Sequence, residues 1–579
     1  MRYFDEYIKT DKNNIINLST YNCKKFFNKY DETQVIETNR NICGDKVIID
    51  NNKVINIFER SNDKIIGILY CNKDTTYNIN SKGNKSFLFK PLDKKYPEFI
   101  VSTSFKEKKK IYVVIQFLHW KIDSKIPTGN IIQLIGPLGI IENEQESLLF
   151  KYNLKHKNIK PIKENLEYHK KIISDIQNQK TIYNAFSIDP QGCLDIDDAF
   201  SLNKYVDYFK ISIHIADLSS FINNYQLYLN KPSSIYLPDK VINMIDREYS
   251  NNIVSLLEKT KRNSLSVIFY FNYNYQIIKT KFKELIIDIK KNYNYDEADL
   301  IIKNDDILTK NQIDLDLINL YKLSQKIFNE DINDTHILVE KWMIKANQTV
   351  GENLYKYDKK NTLLRIHSLK DIHFDYSKYI IPNDQNLKEH LKFKTYNSAK
   401  YVIDSDDTEH YGLGIDIYTH FTSPIRRLPD LITHIQLKNL IHNNPLLEIK
   451  QDIIVKINSF NKGLKSLKFD LDKLNIIQEI QKKEFHITKA YIIAFNNSFI
   501  NIFIPEFKAE YYINLYNFKL KNLIDSEIFD DKIILKYQNK KIELNLFDQI
   551  KIRLTSLLKE DFLHRKLKIK IIEPCIEFL

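Results

Sequence analysis

Two stretches of the chain are built from apolar runs too brief for helices, and they bracket a long region of a different kind. From about residue 44 to 150 the sequence reads GDKVIID, KVINIFER, KIIGILYC, FIVSTS, KIYVVIQFLHW and GNIIQLIG. Each run is rich in Ile and Val and is bounded by Asn, Asp, Gly or Pro, which predicts short strands at the spacing of small β barrels. The pattern returns after about residue 480 in HITKAYIIAF, SFINIFIPEF, KIILKYQ, KIELNLF and QIKIRL, with Asn496-Asn497 as a turn signal between the first two. Between these ends, strands such as YFKISIHIADL and NSLSVIFYFNYN alternate with helical stretches such as DTHILVEKWMIKANQTVGENL. That mixture predicts one large α+β unit.

The expected organisation is therefore multidomain: β barrels at 1–82 and 83–152, an α+β domain at 153–480 and a third barrel at 481–579. A length of 579 residues, at roughly 150 per domain, agrees with four. The segment YNCKKFFNKYDE reads equally well as helix or strand, and the Lys-rich connection KENLEYHKKIISDIQNQ has helical periodicity.

No apolar run approaches the ~20 residues needed to cross a bilayer, and the start MRYFDEYIKTDKNN lacks the apolar core of a signal peptide. An intracellular protein of cytoplasm or nucleus, with no membrane partner, is expected. Five cysteines, Cys23, Cys43, Cys71, Cys193 and Cys575, show no CxxC spacing, which argues against a zinc ribbon or a disulfide framework. The net charge of +12 is compatible with nucleic acid and equally with the codon bias of an AT-rich genome. More telling is that only ten of the 86 basic residues are Arg, so each Arg invites a reason.

The first constellation with chemical content is SIDPQGCLDIDDAF, where Asp189, Asp195, Asp197 and Asp198 fall within ten residues. Carboxylates so close repel one another, and a divalent cation is the cheapest way to keep them ionised together; Mg²⁺ suits a few carboxylates plus water and phosphate oxygens. Pro190 and Gly192 predict a turn that lets Asp189 fold back toward the later acids. In an extended chain Asp195 and Asp197 share a face and Asp198 points away, whereas a loop brings all four together. A solvated acidic loop is the plain alternative; an EF-hand loop lacks its Gly and terminal Glu here, and a DxD site would sit at a strand end with a different tail. Phe186 and Ile188 before the acids, with Ala199 and Phe200 after, put them beside a core.

The second constellation, YTHFTSPIRRLPDLITHIQL, holds Arg426 and Arg427 after Ser423 and Pro424. Ser423 as cap and Pro424 in the first turn predict a helix starting there, with the arginines near its N-terminus, where a phosphate would relieve their conflict with the helix dipole. The alternative is a surface pair bridging Asp430 and another acid. An acidic metal site and an arginine phosphate clamp in one domain point jointly to phosphodiester chemistry.

Both motifs resemble the two signatures of the ribonuclease II / ribonuclease R (RNB) exoribonucleases, and the PQGC insert resembles the eukaryotic branch that includes the exosome's catalytic subunit. Weaker matches follow in the same order: ISIHIADLSSFI with His214 and Asp217, SSIYLPDKVINM, TKRNSLSVIF with Arg262, YDEA, ILVEKWMIKANQTV with Asn347, LLRIHSLKD with Arg365 and His367, and SAKY before HYGLGIDIYTHF. They cover about 181–440. The resemblance implies an RNB catalytic domain of α+β type flanked by two cold-shock-type barrels and a C-terminal OB barrel of S1 type.

It further implies a Mg²⁺-dependent, processive hydrolytic 3′–5′ exoribonuclease that threads single-stranded RNA into a channel and releases nucleoside 5′-monophosphates. By position, Asp189, Asp195, Asp197 and Asp198 become the metal and water site, with Asp197 and Asp198 at the chemistry and Arg426 on the phosphate. Arg427 is placed with it on the RNA, Tyr236 and Tyr295 match rings that stack on or clamp terminal bases, and Glu340 matches a position beside the terminal nucleotide. A monomeric catalytic unit is expected, with an exosome-like complex as candidate partner. Leu428 and Ile435 depart from the usual Tyr and Arg, and NSFNKGLKSLKFDLDKL is assigned no catalytic residue. The stretch before the first barrel leaves no room for the endonuclease domain of the exosome subunit. A catalytically silent RNA-binding protein and a single-stranded-DNA-binding OB protein are the competing readings; the first predicts damaged acids, and the second leaves the central domain unexplained.

Overall fold

The computed structural model describes residues 40–574 except 51–52, 72–76, 80–82, 106–108, 156–162, 182, 223, 304–310, 370–377, 497, 516–524 and 538–539, together with four short strands ahead of residue 40. The ambiguous segment YNCKKFFNKYDE lies largely outside the described residues. Two compact units emerge, one of residues 1–155, 376–390 and 463–579, the other of 156–375 and 391–462.

The first unit is almost all β. A four-stranded sheet joins Tyr7–Thr10, Asn13–Asn17, Lys46–Asp50 and Lys53–Glu59. A second sheet closes on itself, because Phe99–Thr103 pairs antiparallel with Lys85–Pro91 and parallel with Thr128–Pro137. Ile65–Tyr70 belongs to this sheet, pairing with Lys110–His119 and Lys85–Pro91. The division drawn at 82/83 therefore falls inside a sheet, and the second β module begins nearer residue 65. Periodicity explains the misplacement: IIGILY is a continuous apolar run because both its faces are buried. Ile65 and Leu69 enter one apolar cluster with Phe87, Phe89 and Phe99, whereas Ile66 and Ile68 enter another with Tyr112 and Val114. Gly67 fits this crowded strand for lack of a side chain, since a Cβ there would meet the Lys90 carbonyl and the Phe89 ring at 2.4 Å.

A five-stranded sheet forms the C-terminal module, in the order Ala509–Asn514, Phe499–Ile504, His486–Phe495, Gln549–Ser556 and Leu567–Glu573, with a separate three-stranded sheet over 525–545. Leu474, Ile477 and Ile480, late in the long helix Gln451–Gln481, pack into its core. Residues 463–480 and 376–390 thus group with the β modules, where the expected α+β domain had included them.

In the second unit, Asn184–Asp189, Asp198–Lys204, Phe209–Ala216, Thr260–Phe271 and Ile277–Asn294 close into a barrel. One side carries helices 295–303, 312–328 and 335–357, anchored by Trp342, which is fully buried against Phe269, Phe271 and Phe328. The helix Thr335–Tyr357 comes close to the segment around Thr419: a Cβ on Gly351 would lie 3.2 Å from the Thr419 nitrogen. That approach brings the arginine segment to the barrel.

His214, wholly buried on a barrel strand, lies between the Ser201 and Ser266 hydroxyls at 2.8 Å each. Burial pushes its pKa down to about 3. Between that value and the ordinary ~6.5, the unfolded chain binds a proton that the folded one does not, so folding loses stability as pH falls. Relative to His214→Gln, the wild type should lose ~1.4 kcal/mol on going from pH 6 to pH 5, read from denaturant midpoints at the two pH values.

Candidate active site

The strand Asn184–Asp189 ends on the first acid because Pro190 cannot extend it. A turn follows, closed by the Cys193 N–H donating to the Pro190 carbonyl at 3.1 Å, with Gly192 at φ +78°, the conformation this turn demands. The segment 194–197 runs as irregular chain and re-enters the barrel at Asp198. It is held from behind by Ser255, whose hydroxyl accepts from the Ile196 N–H at 3.0 Å and donates to the Leu194 carbonyl at 2.8 Å. Arg262 in turn donates to the carbonyls of Ser255 and Asn252. A loop geometry thus replaces the extended one in which Asp198 would point away, and all four acids line one cavity of about 450 Å³.

Opposite the acids stands the arginine segment. Asn347, on helix Thr335–Tyr357, fixes it from within by accepting from the Phe421 N–H at 2.8 Å and donating to the Tyr418 hydroxyl at 3.0 Å. The helix that follows is Leu428–Ile441 with Arg427 as N-cap residue, so it begins four residues later than Ser423 and Pro424 predicted. Pro429 sits in its first turn, and the buried Asp430 carboxylate accepts from the Ser423 N–H and from Arg427. Asp430 therefore ties the segment ahead of the helix to its first turn, and no side chain caps the helix itself. The Arg427–Asp430 pair of the plain alternative does form, at 2.7 Å, with its carboxylate fully buried rather than at the surface.

Arg426 reaches across to the acids. Its Nε donates to Asp197 Oδ2 at 2.8 Å and an Nη to the Ser423 hydroxyl at 2.9 Å. Asp197, 3% exposed, accepts on its other oxygen from the Ile425 N–H at 3.0 Å. Burial raises its pKa to about 7 even with Arg426 pulling the other way. Asp198 is raised well above the carboxylate range by burial and by the charges of Asp189 and Asp197. Asp189 is raised to about 6, chiefly by burial, and its Oδ2 is buried without a hydrogen-bond partner among the described residues. Asp195 accepts from the Tyr236 hydroxyl at 3.2 Å.

The remaining predicted residues line the same cavity. Tyr236 is half exposed, Glu340 is exposed, and Tyr295 stacks on His336 with ring centres 3.6 Å apart. Burial and the nearby Asp198 and Asp189 push the Tyr295 phenol up to about 12. Sequence reasoning gave no role to Ser255, Arg262 or Asn347, made Ser423 a helix cap, and gave Asp430 only the plain alternative of a surface pair. Arg262 and Asn347 stood within recognised motifs, but nothing local marks a serine 59 residues from its partner.

The donor set suits a hard divalent cation: crowded carboxylates that burial makes costly to ionise, one with an orphaned buried oxygen, and a single arginine among them to balance the charge. Among the described residues no three such groups already converge on one point. Asp195 and Asp197 are turned toward Tyr236 and Arg426 instead.

Residues 174–334 and 326–443 match the RNB domain, and residues 86–153 match the Dis3-like cold-shock domain 2. Residues 174–443 thus carry an RNB domain, and nucleases with this domain are generally dependent on a divalent metal. Among curated proteins it is similar to the exosome complex exonuclease RRP44 of Mus musculus, 26% identical over 615 residues that cover 89% of this chain and 62% of that one. It is also similar to ribonuclease R of Mycoplasmopsis pulmonis, 26% identical over 383 residues covering 55% and 53%. The chain spans about three-fifths of the length of the RRP44 relatives. Of solved structures, Mycoplasma genitalium RNase R in complex with ribose-methylated single-stranded RNA superposes with a TM-score of 0.71 at 17% identity, over 98% of this chain and 99% of that one. Yeast Ssd1, described as a pseudonuclease, superposes at 0.64 with 15% identity over 95% and 96%.

Proposed function

We propose that the protein is a hydrolytic 3′–5′ exoribonuclease that degrades single-stranded RNA to nucleoside 5′-monophosphates with Mg²⁺. The observation that carries this reading is the meeting of Asp189, Asp195, Asp197 and Asp198 with Arg426 in one cavity large enough for a nucleotide. Asp189, Asp195, Asp197 and Asp198 would hold the metal, which when bound supplies an activated water and neutralises phosphate charge. Arg426, already oriented by Asp197 and Ser423, has guanidinium hydrogens left for the scissile phosphate and offsets the charge that builds there. Tyr236 and Tyr295 offer π faces to the terminal bases, which suits a processive enzyme because stacking does not depend on base identity. Glu340, which lines the same cavity, would accept from a ribose hydroxyl, the group that separates RNA from DNA. Arg427, tied to Asp430, shapes the phosphate side of the cavity. The β modules, with the boundaries revised above, would grip the entering strand, and the catalytic unit would act as a monomer, alone or docked on an exosome-like complex in cytoplasm or nucleus.

A second reading has an observation in its favour. Both Asp197 oxygens are engaged by Arg426 and Ile425, and a pseudonuclease shares the fold. The protein would then bind RNA without cutting it. Incubation with labelled single-stranded RNA and DNA, with Mg²⁺ or EDTA, separates the two. Mononucleotides from RNA alone and only with Mg²⁺ support the nuclease; intact RNA that remains bound with Mg²⁺ supports the silent binder.

A further inference from the structure

The unit of residues 1–155, 376–390 and 463–579 contains a cavity of its own, about 380 Å³, none of whose lining residues belongs to the acid pocket. Its two carboxylates are engaged. Glu144 accepts from Lys566 at 3.1 Å, from the Tyr112 hydroxyl at 2.9 Å and from the Gly139 N–H at 3.0 Å, and Asp470 accepts from Lys151 at 2.7 Å and from Tyr152. Basic groups on the wall remain in excess. Lys94 is exposed there, and Lys473 has no ion pair among the described residues; its ammonium lies 3.9 Å from the centre of the Phe469 ring. His564, also on the wall, is held below its usual pKa by burial and by Arg565, Lys94, Lys151 and Lys473, so an anion entering the cavity would bring a proton with it.

Two further features point to a ligand. The Tyr511 hydroxyl is buried and has no hydrogen-bond partner among the described residues, and Tyr511, 8% exposed, lines the cavity. A buried hydroxyl left unpaired is costly, and a ligand oxygen would relieve that cost. Flat apolar surface stands beside it: the Phe562 and His564 rings lie 5.8 Å apart with 21° between their planes, and Tyr512 is 55% exposed.

We propose that this cavity binds the phosphate monoester of a nucleotide, with the phosphate on Lys473, Lys94 and Tyr511 and the base against Phe562 or Tyr512. A monoester carries close to two negative charges at neutral pH, against one for each phosphodiester, and it matches the excess of cations. The volume accommodates one nucleotide. Two sources offer this chemistry, a free nucleoside 5′-monophosphate and the 5′-phosphorylated end of an RNA. The site stands independently of hydrolysis at the acid pocket.

Calorimetric titration of the full chain in EDTA with AMP, adenosine and inorganic phosphate tests the assignment. AMP is expected to bind and adenosine to fail. Lys473→Gln should weaken AMP binding at least tenfold, and Tyr511→Phe, which keeps the ring and its packing, should weaken it several-fold with a melting temperature at or above that of the wild type. Equal AMP affinity in the wild type and both variants, or no AMP binding in the millimolar range, overturns the proposal. Competition identifies the source. Displacement of AMP by a 5′-phosphorylated oligoribonucleotide but not its 5′-hydroxyl twin assigns the chain end, and displacement by neither assigns the free nucleotide. Equal displacement by both means that internal phosphodiesters are bound and also overturns it.

Discussion

Replacing Asp197 by Asn is expected to reduce release of mononucleotides by roughly 10³-fold or more while leaving RNA affinity within a few-fold. The argument rests on position and charge together. Asp197 is the acid that meets Arg426 directly, at 2.8 Å, and lies between Asp195 and Asp198 in sequence. Asparagine keeps the shape and can still accept from the Ile425 N–H, but it supplies no anion to a cation or to a water losing its proton. Folding should tolerate the change well. Burial raises the Asp197 pKa to about 7, so the folded protein without metal carries that charge at a cost above neutral pH, and a neutral amide removes it. A variant that melts at or above the wild-type temperature in EDTA, binds RNA and does not cut it separates chemistry from architecture. Wild-type turnover in this variant would remove Asp197 from the mechanism.

Arg426 carries the second large effect. Its substitution by Ala should lower turnover by about 10²–10³-fold, the scale seen when one aligned donor is removed from a developing anion. Lys should recover little of this. The guanidinium is held in a fork by Asp197 and Ser423, and a lysine ammonium supplies charge without that orientation. Arg426→Ala also leaves Asp197 buried without its cation, so unlike Asp197→Asn it should lower the melting temperature above pH 7. Single-turnover rates and melting curves of the two arginine variants check both expectations. A lysine variant with wild-type turnover would show that charge alone suffices.

Much of this site was legible in the sequence because its residues are crowded and locally patterned. Four acids in ten positions around Pro190 and Gly192 announce both a charge problem and the turn that gathers them. The strand His486–Phe495 follows the segment HITKAYIIAF residue for residue, since Ile, Thr, Tyr and Phe fill it and the Asn496 turn signal ends it. What escaped depends on contacts between distant parts of the chain. Ser255 acts on Ile196 across 59 residues, Asn347 on Phe421 across 74, and Ile65–Tyr70 pairs with Lys85–Pro91 and Lys110–His119 beyond the expected boundary. The start of helix Leu428–Ile441 was missed for a related reason. Ser-Pro is an ordinary local start signal, and it was overridden by Arg426 reaching for Asp197 and by Asp430 holding the Ser423 N–H. The acids and arginines could be paired by chemistry alone; the residues that hold them in place could not.

The central claim is that these carboxylates and Arg426 hydrolyse RNA from its 3′ end. Its most direct test follows a 3′-end-labelled and a 5′-end-labelled single-stranded RNA of the same sequence in Mg²⁺. The account predicts immediate release of labelled nucleoside 5′-monophosphate from the first, progressive shortening of the second, and neither with EDTA or with Asp197→Asn. Stable binding of both RNAs with no label released in Mg²⁺ would contradict it.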